Sequence, residues 1–301
     1  GFDHLVIKGR APKPSYLFIH NGKIEIRDAS SIWGETVQDT QEILRKELRD
    51  EEIQCLCIGP AGEKLVRFAN MMTRHKNSGG RTGMGAVLGS KNLKAIVARG
   101  TMDIQIHSPK EALEYDKKVI HDICSTKFGQ IMQRWGTMFI YGVTNTTGLV
   151  RTHNFQLNQL TDSQGIECEN IDEYSIGTDG CLGCQLHCRH RYIIKEGPYA
   201  GTYAQGPEYT SQGAWGTEVG CRNMNTILVG NHLVNSYGLD TLETGSLISW
   251  AMELYEKGIL TDQDTGGLKL EFGNDEAVIE MIHRIGRREG LGDILAEGGL
   301  R

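Results

Sequence analysis

Apolar and polar positions alternate differently on the two sides of residue 108 in this 301-residue chain. Before that point the apolar runs are short and β-like. Gly1 to Lys8 reads as a strand already under way, carried by Leu5-Val6-Ile7. Tyr16-Leu17-Phe18-Ile19-His20 and Lys23-Ile24-Glu25-Ile26-Arg27 flank Asn21-Gly22. Asn and Gly tolerate the positive φ of a two-residue hairpin turn, so this stretch predicts a hairpin. From Val37 to Leu48 apolar residues recur near every 3.6 positions, which predicts a helix. Ile53 to Ile58 predicts a buried strand. Gly59-Pro60-Ala61-Gly62-Glu63 predicts a turn into a helix, because the N–H that proline lacks is one the first helical turn leaves unpaired anyway. A glycine-rich turn from Ser78 to Gly89 then leads to a strand over Lys94-Ala95-Ile96-Val97-Ala98-Arg99.

Beyond Gly100 the period changes. Ser108-Pro109-Lys110-Glu111 has the residues of a helix start, with Ser as the cap, Pro first and Glu third. Helical spacing continues to about Cys124. Residues 124 to 180 are polar and loop-rich. Helices are predicted over Asn223 to Tyr237, Leu242 to Lys257 and Glu276 to Arg288, with Ile227, Val234, Leu247, Ile248, Met252 and Leu254 as core or subunit-interface packing. Asp50-Glu51-Glu52 reads as a solvated helix end. The fold class expected is α+β, with a β-rich domain over 1–108 and a mainly helical one over 109–301.

Composition narrows the classes. Hydrophobic residues make up 39% and the formal net charge is -6. The first figure is too high for a disordered chain, and the second disfavours a nucleic-acid partner. No run approaches the ~20 apolar residues of a membrane span, so no membrane partner is expected. The chain opens on Gly1 without an initiator Met or a signal-like segment. It breaks off at Arg301 soon after a helical pattern, so an internal piece of a longer protein is expected. A cytoplasmic, reducing location follows from this reading. There, clustered cysteines serve metals more often than disulfides.

Cys181-Leu182-Gly183-Cys184-Gln185-Leu186-His187-Cys188 has the spacing C-x2-C-x3-C. Three thiolates this close can converge on one iron–sulfur centre, and Gly180 and Gly183 let the backbone wrap it. A cubane cluster takes four ligands, so the fourth comes from elsewhere. The spare cysteines are Cys55, Cys57, Cys124, Cys168 and Cys221. Zinc with His187 or His190 as fourth ligand is the competing metal reading, and a zinc-stabilised binding module is the competing class. Separately, Ser78 to Ile96 combines glycines with cationic side chains, which suits an anionic, phosphate-bearing ligand.

Taken in order, four blocks resemble the aldehyde ferredoxin oxidoreductase family of tungsten enzymes. They are Ile58 to Glu63; Gly80-Arg81-Thr82-Gly83-Met84-Gly85-Ala86-Val87 with Gly89 to Ala95; the cysteine cluster; and Gly206-Pro207-Glu208-Tyr209 with Asn235-Ser236-Tyr237-Gly238-Leu239-Asp240-Thr241. The resemblance covers nearly the whole chain. It implies tungsten (or molybdenum) held by two pyranopterins, a 4Fe-4S cluster as electron exit, and magnesium at the pterin phosphates. Residues 1–108 would be the C-terminal part of the β-rich pterin-binding domain. Residues 109–301 would carry the cluster cysteines and a pterin-binding motif.

By the same resemblance, Arg81, Thr82, Gly83 and Gly85 match the loop that contacts the pterin. Cys181, Cys184 and Cys188 match three cluster ligands, with the fourth beyond Arg301. Asn235, Leu239 and Asp240 match a D-x-x-G-L-D motif whose carboxylates accept pterin ring N–H groups; Asn235 replaces the first Asp and lacks its charge. Helix-end capping is the plainer role for this segment, with Gly238 as the residue after the helix. Glu208 matches a glutamate near the metal in members that oxidise aldehydes. The implied activity is aldehyde oxidation to a carboxylic acid, with electrons passing to ferredoxin or an electron-transfer subunit from a homodimer. A ring-reducing enzyme acting on an aromatic acyl-CoA is the alternative inside the family. His232 lacks a glutamate three residues before it, so no subunit-bridging metal is expected there.

Overall fold

The computed structural model describes residues 4–299. They form two compact units by contact, Gly1–Thr101 with His232–Arg301, and Met102–Asn231. The first unit is therefore built from two separate stretches of chain.

Its sheet has six strands in the order β2-β1-β6-β3-β4-β5. β1 (Ser15–His20) and β2 (Lys23–Asp28) form the expected hairpin, paired from Ser15↔Asp28 to His20↔Lys23. Asn21 (φ 46) and Gly22 (φ 86) both take the left-handed conformation that such a turn requires. Next come α1 (Val37–Leu48), β3 (Gln54–Cys57), α2 (Pro60–Glu63), β4 (Met71–Thr73), β5 (Asn77–Gly79), α3 (Met84–Ser90) and β6 (Leu93–Arg99). β6 runs parallel to β1 and antiparallel to β3. Tyr16, Val37, Leu44, Cys57, Met72, Ala95 and Val97 are buried together, so α1 lays its apolar stripe on the sheet. Lys94 is fully buried and ion-paired to Glu63 of α2, and it also donates to the Glu35 carbonyl at 2.8 Å.

Three expectations are corrected here. Leu5 to Lys8 is not a strand; Ile7 packs against Leu17, Ile58, Leu88 and Leu93, and Ala11 donates to the Lys91 carbonyl at 3.0 Å. Leu5 and Val6 are exposed, so only Ile7 of that run contributes to the core. The portion of the expected strand at residues 1–3 lies outside the described residues. The stretch Ser78 to Gly89 is not merely a turn, since it contains the end of β5 and most of α3. Asp50 and Glu52 are not simply solvated, because both pair with Arg99 of β6.

In the second unit α4 (Pro109–Cys124) starts at Pro109 as expected, but Ser108 makes no side-chain capping bond. The supposed loop after it holds α5 (Lys127–Trp135), a short 3-10 turn (Gly136–Phe139) and α6 (Ile140–Thr146). A three-stranded antiparallel sheet follows: β7 (Ser175–Asp179), β8 (Arg189–Ile193) and β9 (Tyr203–Gly206). α7 (Tyr209–Gln212) comes next, then a π-turn (Gly213–Thr217) that buries Trp215. α8 (Met224–Tyr237) runs across the boundary between the units. α9 (Thr241–Glu256), α10 (Asp275–Arg287) and α11 (Leu291–Leu295) complete the first unit. The three long helices lie close to their expected limits. Ile227, Val234, Leu247, Ile248 and Met252 are buried. No helix among the described residues is long and apolar enough to cross a membrane.

Candidate functional site

Two groups of the expected site residues emerge, one in each unit. In the first unit the glycine-rich loop meets the segment after α8. Gly238 (φ 71) ends α8 in the left-handed conformation, as a residue there should. Leu239 and Ala69 form an isolated antiparallel bridge, and the Asn70 N–H donates to the Gly238 carbonyl at 2.7 Å. Asp240 then caps α9, accepting the Glu243 N–H at 2.8 Å. The same carboxylate accepts the Arg81 N–H at 3.1 Å, with the Arg81 guanidinium 3.5 Å away. Capping and reception of the loop are thus one job of one side chain. Asn235 lies half-buried in the last turn of α8.

The loop's glycines are needed for internal packing. A Cβ on Gly83 (φ 68) would collide with the Arg67 carbonyl, and one on Gly85 would come within 2.6 Å of the Asn70 carbonyl oxygen. Gly89 faces the backbone of Gly62, which packs α3 on α2. Gly59 is pressed against the Tyr237 carbonyl in the same way. Arg81 and Thr82 remain exposed just ahead of α3, so the loop offers a cation and a hydroxyl on an open side, while the Gly85 and Ala86 N–H groups are already bonded to the Ala69 and Gly83 carbonyls.

Sequence reasoning missed Asn70. Its amide nitrogen donates to the Leu239 carbonyl at 3.1 Å, which fixes the amide's orientation. Its Oδ1 is buried and has no hydrogen-bond partner. A buried acceptor without a donor costs about 1–3 kcal/mol unless something fills it. A Cβ built on Gly80 would lie 3.2 Å from Asp240 Oδ2 and 3.5 Å from Asn70 Nδ2, so the two side chains flank the same glycine. The pair suits a ligand that carries ring N–H groups, so the residues present fit a pterin. No spacing pattern in the sequence singles out Asn70.

In the second unit the cysteine loop joins β7 to β8. The Cys184 N–H donates to the Cys181 carbonyl at 3.0 Å, while Gly183 (φ 73) and His187 (φ 51) turn the chain around. Cys181 is exposed and Cys184 and Cys188 are half-buried. Burial raises the Cys188 thiol pKa, as do the nearby Glu208 carboxylate and the Cys184 and Cys181 thiols. The thiols are near one another but do not close into a ligand shell; among the described residues no three His, Cys, Asp or Glu groups stand in a metal-holding arrangement. A fourth thiol reaches the same loop, with Cys124 Sγ 3.9 Å from the Gln185 carbonyl. Three soft donors on one glycine-turned loop fit an iron–sulfur centre by donor chemistry. His190, the rival zinc ligand, is buried in β8 with Nδ1 bonded to Ser175 Oγ at 2.9 Å.

Glu208 follows the cis Gly206–Pro207 peptide and begins α7. Its carboxylate is ion-paired to Arg189 and accepts a hydrogen bond from Thr137. Arg189 directly follows Cys188, so the carboxylate and the third cysteine share one support.

The model of the N-terminal domain of aldehyde ferredoxin oxidoreductase matches residues 1–100, and the model of that enzyme's domains 2 and 3 matches residues 114–301. The chain belongs to the aldehyde ferredoxin oxidoreductase family. Membership sets aside the zinc-stabilised binding module. A tungsten-containing aldehyde ferredoxin oxidoreductase of Pyrococcus abyssi is 38% identical over 100% of this chain and 50% of its own length. The WOR-like subunit of an aliphatic sulfonate oxidoreductase of Pyrococcus furiosus is 34% identical over the same shares. Among solved structures, the active-site complex BamBC of benzoyl-coenzyme A reductase with 1,5-dienoyl-CoA superposes with a TM-score of 0.81 at 28% identity. That match covers 97% of this chain and 45% of the other. The chain thus spans about half the length of these family relatives.

Proposed function

We propose that the protein oxidises aldehydes to carboxylic acids. An aldehyde takes up one water and gives a carboxylic acid, two protons and two electrons. A tungsten (or molybdenum) bis-pyranopterin, when bound, supplies the two-electron acceptor. Asp240 and Asn70 Oδ1 would accept pterin ring N–H groups. Leu239 sets their spacing, and Asn235 lies on the preceding turn. Arg81 and Thr82 would hold the phosphates together with magnesium, and Gly83 and Gly85 give that loop its shape. Cys181, Cys184 and Cys188 would hold a 4Fe-4S cluster, with the fourth ligand outside this stretch of chain. Glu208 would take a proton from the attacking water, the step for which a fixed carboxylate is suited. Ferredoxin or an electron-transfer subunit receives the electrons, in the cytoplasm and from a homodimer.

The observation that carries this reading is the placement of Glu208. It is the acidic group of the Gly206 to Tyr209 block and stands one residue's support away from Cys188. Reduction of an aromatic acyl-CoA ring is the second reading, favoured by the close superposition on benzoyl-coenzyme A reductase. The higher identity to the aldehyde enzymes supports the first. The test uses the full-length protein. Tungsten or molybdenum, together with aldehyde-dependent reduction of ferredoxin, is the expected result. Absence of both metals would overturn the reading, as would turnover of an aromatic acyl-CoA without turnover of any aldehyde.

A further inference from the structure

Both oxygens of the Glu208 carboxylate are engaged, each by a residue tied to Cys188. Oε1 pairs with Arg189 Nε, and Arg189 opens β8 directly after Cys188. Oε2 accepts from Thr137 Oγ1. Thr137 stands next to Gly136 in the 3-10 turn, and Gly136 (φ 59) lies so close to the Cys188 carbonyl that a Cβ there would collide with it. The Thr137 hydroxyl also accepts the Tyr209 N–H at 2.9 Å. A hydroxyl has one proton, so with an acceptor site filled by Tyr209 its proton is aimed at Glu208. The Glu208 N–H in turn donates to Ser211 Oγ at 3.4 Å, and that hydroxyl donates to Asn231 Oδ1 at 3.2 Å. The side chains of Glu208 and Arg189 are only 22% and 24% exposed, so solvent competes weakly for these bonds.

We propose that Thr137 and Arg189 are the positioning residues of Glu208, and that they fix its carboxylate from the two backbone points that also hold Cys188. The proposal rests on the reading of Glu208 as the proton-accepting carboxylate of aldehyde oxidation. An ordinary exposed ion pair would contribute little and would tolerate exchange of its cation. Here the arginine bonds through Nε in a fixed plane, a geometry that lysine's ammonium cannot copy. A valine at 137 keeps the shape of threonine and removes the hydroxyl proton aimed at Oε2.

The experiment is steady-state kinetics on the full-length, metal-loaded enzyme in four variants: Glu208→Gln, Thr137→Val, Thr137→Ser and Arg189→Lys. A displaced reacting group costs about ten- to a hundred-fold in rate. Thr137→Val and Arg189→Lys should each lower kcat by about that factor with KM for the aldehyde nearly unchanged, and Thr137→Ser should restore most of the loss. Iron and tungsten contents, and the electron paramagnetic resonance signal of the reduced cluster, should stay at wild-type values. Full kcat in Thr137→Val and Arg189→Lys beside an inactive Glu208→Gln overturns the positioning role alone. A fall in kcat matched by lost iron or tungsten, or not rescued by serine, overturns it too. An active Glu208→Gln overturns the role of Glu208, and the positioning proposal with it.

Discussion

In the first unit Gly83, Gly85 and Asp240 are locked against protein, whereas in the second Cys181 is exposed and Leu182 beside it is 93% exposed. The glycine loop touches Arg67, Ala69 and Asn70 through backbone atoms and is received by a helix-capping carboxylate. Its shape is set before any ligand arrives. The cysteine loop is anchored at its ends by β7 and β8 and turned by the Cys184 N–H to Cys181 carbonyl bond. Its final shape is left to whatever the thiols bind. A preformed cradle suits a large organic ligand that must enter in one orientation. An open loop suits a centre whose own bonds to sulfur impose the geometry.

This contrast can be broken most forcefully at Gly83. Gly83→Ala adds a Cβ that meets the Arg67 carbonyl, at a φ that L residues resist. Overpacking and the left-handed penalty together should cost about 2–5 kcal/mol. Chemical denaturation of the purified protein would show it, and a loss under 1 kcal/mol would mean that the loop is not locked. Asp240 gives the next effect. Asp240→Ala removes the cap of α9 and the acceptor of Arg81 N–H, at about 1–2 kcal/mol, whereas Asp240→Asn keeps the cap and should cost only a few tenths. Equal losses in the two would show that charge, not capping, holds the junction. The cysteine loop should give the smallest effect on stability. Cys181→Ser in the iron-free protein should stay within about 0.5 kcal/mol of wild type. Mass-spectrometric mapping of alkylation at pH 8 should find Cys181 modified first. Cys168, whose thiol is pushed up to about 12 mainly by burial, should resist. Loading with iron should protect Cys181, Cys184 and Cys188 and leave the others as they were.

Sequence patterns announced the elements whose burial is periodic. The hairpin at Asn21-Gly22, α1 and the three long helices were legible because one face of each meets a core. β7 to β9 were not, since Arg189, His190 and Arg191 offer no apolar alternation; that sheet is held by its ladder and by Tyr192, whose hydroxyl donates to the Leu228 carbonyl at 2.8 Å. α5 and α6 were hidden by Gly129 and Gly142 inside them. Among the site residues, the glycines, the cysteines, Asp240 and Glu208 stood out by spacing and by resemblance. Asn70, Thr137 and Arg189 did not, because each matters through a contact with a residue far along the chain. The glycines carried a further surprise. Close approach was expected toward a ligand, and the structure turns much of it toward neighbouring backbone.

The bond from Arg81 to Asp240 spans 159 residues. At about 5–20 residues per second, a ribosome needs roughly 8–30 s to deliver the second partner after the first. During that interval the loop from Gly80 to Gly85 has no carboxylate to receive it, and the 130-residue middle stretch emerges in between. A ligand binding at this junction, as proposed, would find it assembled only after residue 240 has left the exit tunnel.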